Sequence, residues 1–168
     1  MLSEGEKTVS DMQFLQELKK LLRICQLIRD DAKKAPAIVF DIDGTLVHDG
    51  TWDKPVWSVI NFCNYCKEIG ITTIIVTARP GWEANITNTK NSLQELGIVC
   101  DAFFFRKPEC TNLDDFKLSC RKHIDNVAQY NILLSIGDNP WDIGEYGGSG
   151  VLMKAHPSSN AITYTVKS

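Results

Sequence analysis

Apolar residues recur along the first part of the chain as Phe14, Leu15, Leu18, Leu21, Leu22, Cys25 and Ile28, with charged residues between them. That spacing is a helical period and predicts an amphipathic helix over Thr8–Lys34. Pro36 sets its end, because proline disfavours helix at the residue before it. The pattern then changes. Ala37-Ile38-Val39-Phe40 is a short apolar run, rich in β-branched residues, that stops at an acidic, Gly-containing turn, as a buried parallel strand does. Downstream the two periods alternate. They predict a helix over Val56–Ile69, a strand over Thr72–Thr77, a helix over Glu83–Leu96 closed by Gly97, and a strand over Ala102–Phe105. A helix over Leu113–Ile124, a strand over Asn131–Ile136, a short helix after Trp141 and a strand over Val151–Met153 follow. The polar tail Ser158–Ser168 either adds an edge strand over Ile162–Val166 or is mobile.

Strand–helix alternation of this kind predicts an α/β fold: a three-layer, Rossmann-like, mostly parallel sheet with helices on both faces. The chain divides into an N-terminal amphipathic helix within residues 1–35, a core domain over 36–156 and a tail over 157–168. A length of 168 residues suits one self-sufficient core, and the 43% hydrophobic and 23% charged fractions are ordinary globular values. The net charge of −3 provides no general attraction to nucleic acid or an anionic membrane, so a polyanionic partner has to be recognised locally. No stretch approaches the roughly 20 apolar residues of a membrane span, and the acidic start carries no signal-like apolar segment. The expectation is a soluble, cytoplasmic protein without membrane contact. Its six cysteines then stay reduced, and Cys63-Asn64-Tyr65-Cys66, half of a zinc-site spacing, lacks a second half and reads as buried helical thiols.

Three predicted strands end in reactive groups: the first in Asp41 and Asp43, the second in Thr77, the fourth in Gly137-Asp138-Asn139-Pro140-Trp141-Asp142. In parallel sheets ligands bind beyond the carboxyl ends of the strands, so these groups converge on one rim. Four carboxylates there would repel one another by about 4 kcal/mol per close pair at an effective dielectric near 20. A cation is required, and a hard, all-oxygen set with few side-chain ligands suits Mg²⁺.

Asp41-Ile42-Asp43-Gly44-Thr45, Ile75-Val76-Thr77, a downstream lysine and Gly137-Asp138 followed by Asp142 resemble, in order, the four motifs of the haloacid dehalogenase superfamily. The resemblance covers Ala37–Met153. Ile75-Val76-Thr77-Ala78-Arg79-Pro80 and the later Phe103-Phe104-Phe105-Arg106 are similar to its acid phosphatase branch. The resemblance implies a phosphatase in which Asp41 attacks phosphorus to form an aspartyl phosphate. Asp43 would protonate the leaving oxygen and then deprotonate water, and this second Asp separates phosphatases from the superfamily's dehalogenases. Thr77 and a lysine would balance phosphoryl charge. Lys117, which precedes Asp138 by 21 positions at the start of a predicted helix, matches the family spacing; Lys107, at a strand end, competes with it. Mg²⁺ would be held by Asp41, the carbonyl of Asp43 and Asp138, with Asp142 beside it orienting water or the lysine. Gly44, Thr45, Ala78, Arg79 and Asn139 would contact substrate. Taken alone, Asp138–Asp142 also suits a turn and helix N-cap, and Arg79 an ion pair.

Neither interval that houses a cap domain in the superfamily has room for one, so the chain resembles the capless type. An open site suits a phosphomonoester on a large molecule, with a nucleotide or nucleic-acid end first and a phosphoprotein next. Trp52, Trp57 and Trp141 lie near the motifs and could stack on a base or anchor the core. His48 either helps protonate a leaving group or is solvated. The N-terminal helix either covers its own sheet or docks a partner, such as a second copy in a homo-oligomer. A phosphotransferase and a low-turnover phosphate-binding module are the rival functions.

Overall fold

The computed structural model describes residues 5–168. Strand β1 (Lys7–Ser10) leads into helix α1 (Asp11–Ile28), and β2 (Ala35–Phe40), α2 (Trp57–Glu68), β3 (Thr72–Pro80), α3 (Glu83–Glu95) and β4 (Ala102–Arg106) follow. The chain continues through α4 (Leu113–Asn126), β5 (Tyr130–Gly137), a single 3₁₀ turn (Pro140–Asp142), β6 (Ser149–His156) and β7 (Ala161–Lys167). The seven strands form one sheet in the order β1-β7-β6-β5-β2-β3-β4. The five from β6 to β4 are parallel, while β7 pairs antiparallel with both β6 and β1.

The N-terminal helix is shorter than its apolar period suggests. Lys7–Ser10 pairs with β7 instead, and Ser10, in extended conformation, caps α1 by accepting from the Gln13 amide at 3.1 Å. At the other end the helix stops at Arg29, and Asp30–Lys34 forms the approach to β2. The apolar stripe of α1 is used in cis: Phe14, Leu18, Leu21, Leu22 and Cys25 are buried in the core beneath the sheet. Each such side chain stabilises the fold by about 2 kcal/mol. Met12, Leu27 and Ile28 remain exposed on the same helix. The tail forms β7, which β1 covers, so it is not the sheet's edge. No described helix is long and apolar enough to cross a membrane.

Alternation along β2 divides the core in two. Ile38 and Phe40 join the cluster with α1, α2 and Leu93 of α3, while Ala37 and Val39 face Phe116, Cys120 and Ile124 of α4. Three helices therefore cover one face and α4 the other. From β2 the chain winds outward through β3 and β4, then crosses by α4 to β5 on the opposite side of β2. The reversal of winding leaves a crevice beyond the carboxyl ends of β2 and β5. Asp41 and Asp138 follow those two ends.

Candidate active site

The first acidic turn is held by its own backbone. The Asp41 amide donates to the Ile136 carbonyl at 3.1 Å, which ties it to β5, while Gly44 N–H donates to Val47 O at 2.8 Å and Thr45 N–H to Ile42 O at 3.1 Å. The amides of Gly44 and Thr45, expected to face substrate, thus shape the turn. Gly44 has φ +80°, and a Cβ there would sit 2.1 Å from Asp138 Oδ2, so only glycine lets the second acidic loop close on the first. Gly137 does the same for Asp142, whose Cβ lies 2.1 Å from where a Gly137 Cβ would be.

Lys117, in the second turn of α4, is the cation of the cluster. Its side chain is 2% exposed, and Nζ lies 2.9 Å from Asp41 Oδ1, 2.7 Å from Asp142 Oδ1 and 2.7 Å from the Val76 carbonyl, to which it donates. Burial alone would pull this ammonium down, yet the charges of Asp41 and Asp142 outweigh it and its pKa is raised. Lys107 lines a separate hollow with Phe104 and Phe116 on the α4 face.

Carboxylate oxygens of Asp41, Asp138 and Asp142 lie within 4.8 Å of one another, a cluster that can hold a metal ion. Burial pushes the Asp41 carboxyl well above the usual range, with Asp142 and Asp138 adding to the rise and Lys117 opposing it. Asp138 is raised as well, again mainly by burial. Asp142 is the most engaged of the three: Oδ1 faces Lys117, and Oδ2 accepts from the Asn139 amide at 3.0 Å in a capping box across the 3₁₀ turn. The Asn139 side chain, expected at the substrate, donates to Asp138 Oδ1 at 3.2 Å. The donor set fits a hard divalent cation, since it is all oxygen and its buried carboxylates lack full charge compensation.

Asp43 stands outside that cluster. Both its oxygens accept from Arg79, Nε to Oδ2 at 3.0 Å and Nη2 to Oδ1 at 2.7 Å, and the guanidinium lies 4.7 Å from the centre of the Trp52 ring. Arg79 reaches it because β3 changes register between Thr77 and Pro80, where Arg106 of β4 donates to the Ala78 carbonyl. The Ala78 carbonyl is thereby engaged by β4. Thr77 is fully buried, its hydroxyl accepting from the Arg79 amide at 3.1 Å. Thr45 Oγ1 is buried with no hydrogen-bond partner. His48 lies on the flap, where burial pulls its imidazole down.

One group escaped the sequence reading. Arg121, one turn after Lys117 and buried, donates to the carbonyls of Trp141 at 2.7 Å and Glu145 at 2.9 Å, clamping the loop that carries Asp142. The helical spacing from Lys117 was its available signal. Among the cysteines all six are free, with Cys63 and Cys66 buried on α2.

Two solved chains share the architecture. One, in the Pnkp1/Rnl/Hen1 complex, gives a TM-score of 0.62 at 17% identity over 73% of this chain and 47% of its own. The other, in the Pnkp1/Rnl/Hen1 RNA repair complex, gives 0.54 at 17% identity over 67% and 39%. The likeness is one of fold, and this chain spans less than half the length of either. No family model and no curated protein matches the sequence.

Proposed function

We propose that the chain is a Mg²⁺-dependent phosphomonoesterase that works through an aspartyl phosphate on Asp41 and acts on nucleic-acid ends. The observation that carries this reading is the position of Asp41: it follows the end of a central strand, its Oδ1 is held by a buried lysine, and a second carboxylate, Asp138, adjoins it. A lysine bond to one oxygen orients the carboxylate and leaves the other for phosphorus.

Asp41 and Asp138 would hold the metal with the Asp43 carbonyl, and the metal would supply charge neutralisation between phosphate and carboxylates. The Asp41 oxygen forms the new bond to phosphorus as the bond to the leaving oxygen breaks, and Asp43 gives that oxygen its proton. Water then attacks phosphorus, passes a proton to Asp43 and releases Asp41. Lys117 and Thr77 offset charge on the transferring group. Asp43 can act as acid only after Arg79 lets go of it, and an incoming phosphate is the natural competitor for that guanidinium. The preference for nucleic-acid ends draws on the absence of an inserted cap among the described residues, on Trp52 beside Arg79, and on the shared fold with chains of an RNA repair complex.

Hydrolysis of para-nitrophenyl phosphate and of a terminally phosphorylated oligonucleotide, with Mg²⁺ and with chelator, tests the reading. Turnover is expected with the metal alone, and Asp41→Asn should abolish it. Activity that survives chelation or Asp41→Asn sinks the mechanism.

A further inference from the structure

Beyond the catalytic carboxylates lies a cavity of about 250 Å³ that no step above uses. It shares Gly44 and Asp138 with the site, so it opens directly onto the metal-binding face. The flap contributes His48 and Asp49, and β6 with the turn after it contributes Lys154 and Pro157. Gly44 has no side chain to come between the cavity and Asp138; a Cβ there would lie 2.1 Å from Asp138 Oδ2.

The groups around it are equipped for a ligand. Lys154 is exposed and has no ion pair or side-chain hydrogen bond among the described residues. A cation kept unpaired at the mouth of a cavity beside a phosphate site attracts a second anion. The imidazole of His48, half-buried, likewise has no side-chain hydrogen-bond partner among the described residues, and burial lowers its proton affinity. His156 stands two residues along β6 from Lys154, on the same side of the strand, held by Thr163 at 2.9 Å. Asp49 is the acid at the flap end, an acceptor suited to a sugar hydroxyl rather than a phosphate. Lys154, the His48 imidazole and the Asp49 acceptor, with Asp138 on the metal-facing side, surround a space smaller than a drug-sized pocket and match a single sugar-phosphate unit.

We infer that this cavity is a subsite for the nucleotide next to the scissile phosphate, with Lys154 binding the first internal phosphodiester and His48 and Asp49 the adjoining sugar. The inference rests on the phosphatase reading and narrows its substrate class to oligonucleotides, since a mononucleotide or an aryl phosphate leaves the subsite empty. Arg79, bound to Asp43 and lying over Trp52, is the cation available to the scissile phosphate, so a strand has a charged contact at Arg79 besides the one at Lys154. The chain's overall charge of −3 makes such local contacts necessary for a polyanion.

The test compares kcat/KM on trinucleotides bearing a 3′- or 5′-terminal phosphate with kcat/KM on para-nitrophenyl phosphate, for wild type, Lys154→Ala, His48→Ala and the distant surface control Lys20→Ala. Lys154→Ala should lower the trinucleotide-to-aryl ratio roughly tenfold, mainly through KM, and should reduce the salt dependence of log kcat/KM on the trinucleotide by about 0.7, the share of one phosphate on a single strand. A methylphosphonate at the first internal linkage should produce the same loss in wild type and none further in Lys154→Ala. His48→Ala should also lower the ratio, while Lys20→Ala should leave it unchanged. An unchanged ratio in Lys154→Ala overturns the subsite while the phosphatase stands. If wild type hydrolyses neither substrate, the phosphatase reading falls. Fluorescence anisotropy of a labelled, terminally phosphorylated trinucleotide then decides the subsite, with binding lost in Lys154→Ala supporting it and equal binding overturning it.

Discussion

Replacing Lys117 by methionine keeps the length and packing of the side chain on α4 and removes only its charge. What remains are two carboxylates, Asp41 and Asp142, whose side chains are 10% and 2% exposed and whose shared cation is gone, together with a Val76 carbonyl that loses its 2.7 Å donor. Breaking a buried ion pair from one side costs about 3–5 kcal/mol. For a chain of this length that is a fall in Tm of about 6–20 °C. Urea unfolding in the presence of chelator, with an unchanged slope, measures it directly. The loss has a required pH dependence. Burial already raises the Asp41 carboxyl, and without Lys117 it rises further. A raised carboxylate costs the folded state more as pH rises from the unfolded value of 3.8 through the folded one. The difference between wild type and Lys117→Met should therefore be largest near neutral pH and shrink toward acid. Adding Asp142→Asn should recover part of it, with a coupling of about 0.5–3 kcal/mol. A loss under about 1 kcal/mol, independent of pH, would place Lys117 among surface ion pairs and refute the reasoning.

The same electrostatics fix the response to metal. Asp41 and Asp138 are both raised by burial, so they must lose protons for a cation to bind, and the Tm gain from Mg²⁺ should keep growing as pH rises above the ordinary carboxylate value of 3.8; a gain that is flat with pH counts against the carboxylate site. Gly44→Ala forces a side chain into φ +80° and against Asp138, costing about 1–3 kcal/mol, and differential scanning fluorimetry should show the Mg²⁺ shift lost as well. Arg121→Met takes the donor from the Trp141 and Glu145 carbonyls, a loss of about 0.5–1.5 kcal/mol each in urea unfolding, and hydrogen exchange should rise first in the 141–145 loop.

Much of this site is legible in the sequence because its placement is local. An apolar run that ends in Asp41, a second that ends in Thr77 and a third that ends before Asp138 each put a polar group at a strand terminus without any knowledge of the sheet. Lys117 is favoured over Lys107 by the spacing of the family that the sequence resembles. β1 is illegible for the opposite reason: Lys7–Ser10 is four mostly exposed residues whose strand state comes from pairing with β7, more than 150 positions away. Ser10 serves both as last strand residue and as cap, so the strand runs into the helix without a break in the pattern.

Arg79 and Arg121 mark a sharper boundary. For Arg79 the residue type permits either a phosphate or an acid, and the choice of Asp43 depends on a register change in β3 that no local pattern encodes. Arg121 is harder still, because its partners are backbone carbonyls, which every residue possesses and which leave no trace in the sequence. The two aspartates of one loop show what this implies for assigning roles. Asp138 and Asp142 have the same chemistry, but Pro140 begins a turn that brings Asp142 back onto the Asn139 amide and under Lys117, with both oxygens engaged. Asp138, two residues before the turn, accepts from the Asn139 side chain and stays against Gly44. The turn geometry, rather than residue type, commits Asp142 to Lys117 and leaves Asp138 as the carboxylate that could hold the metal of the proposed site.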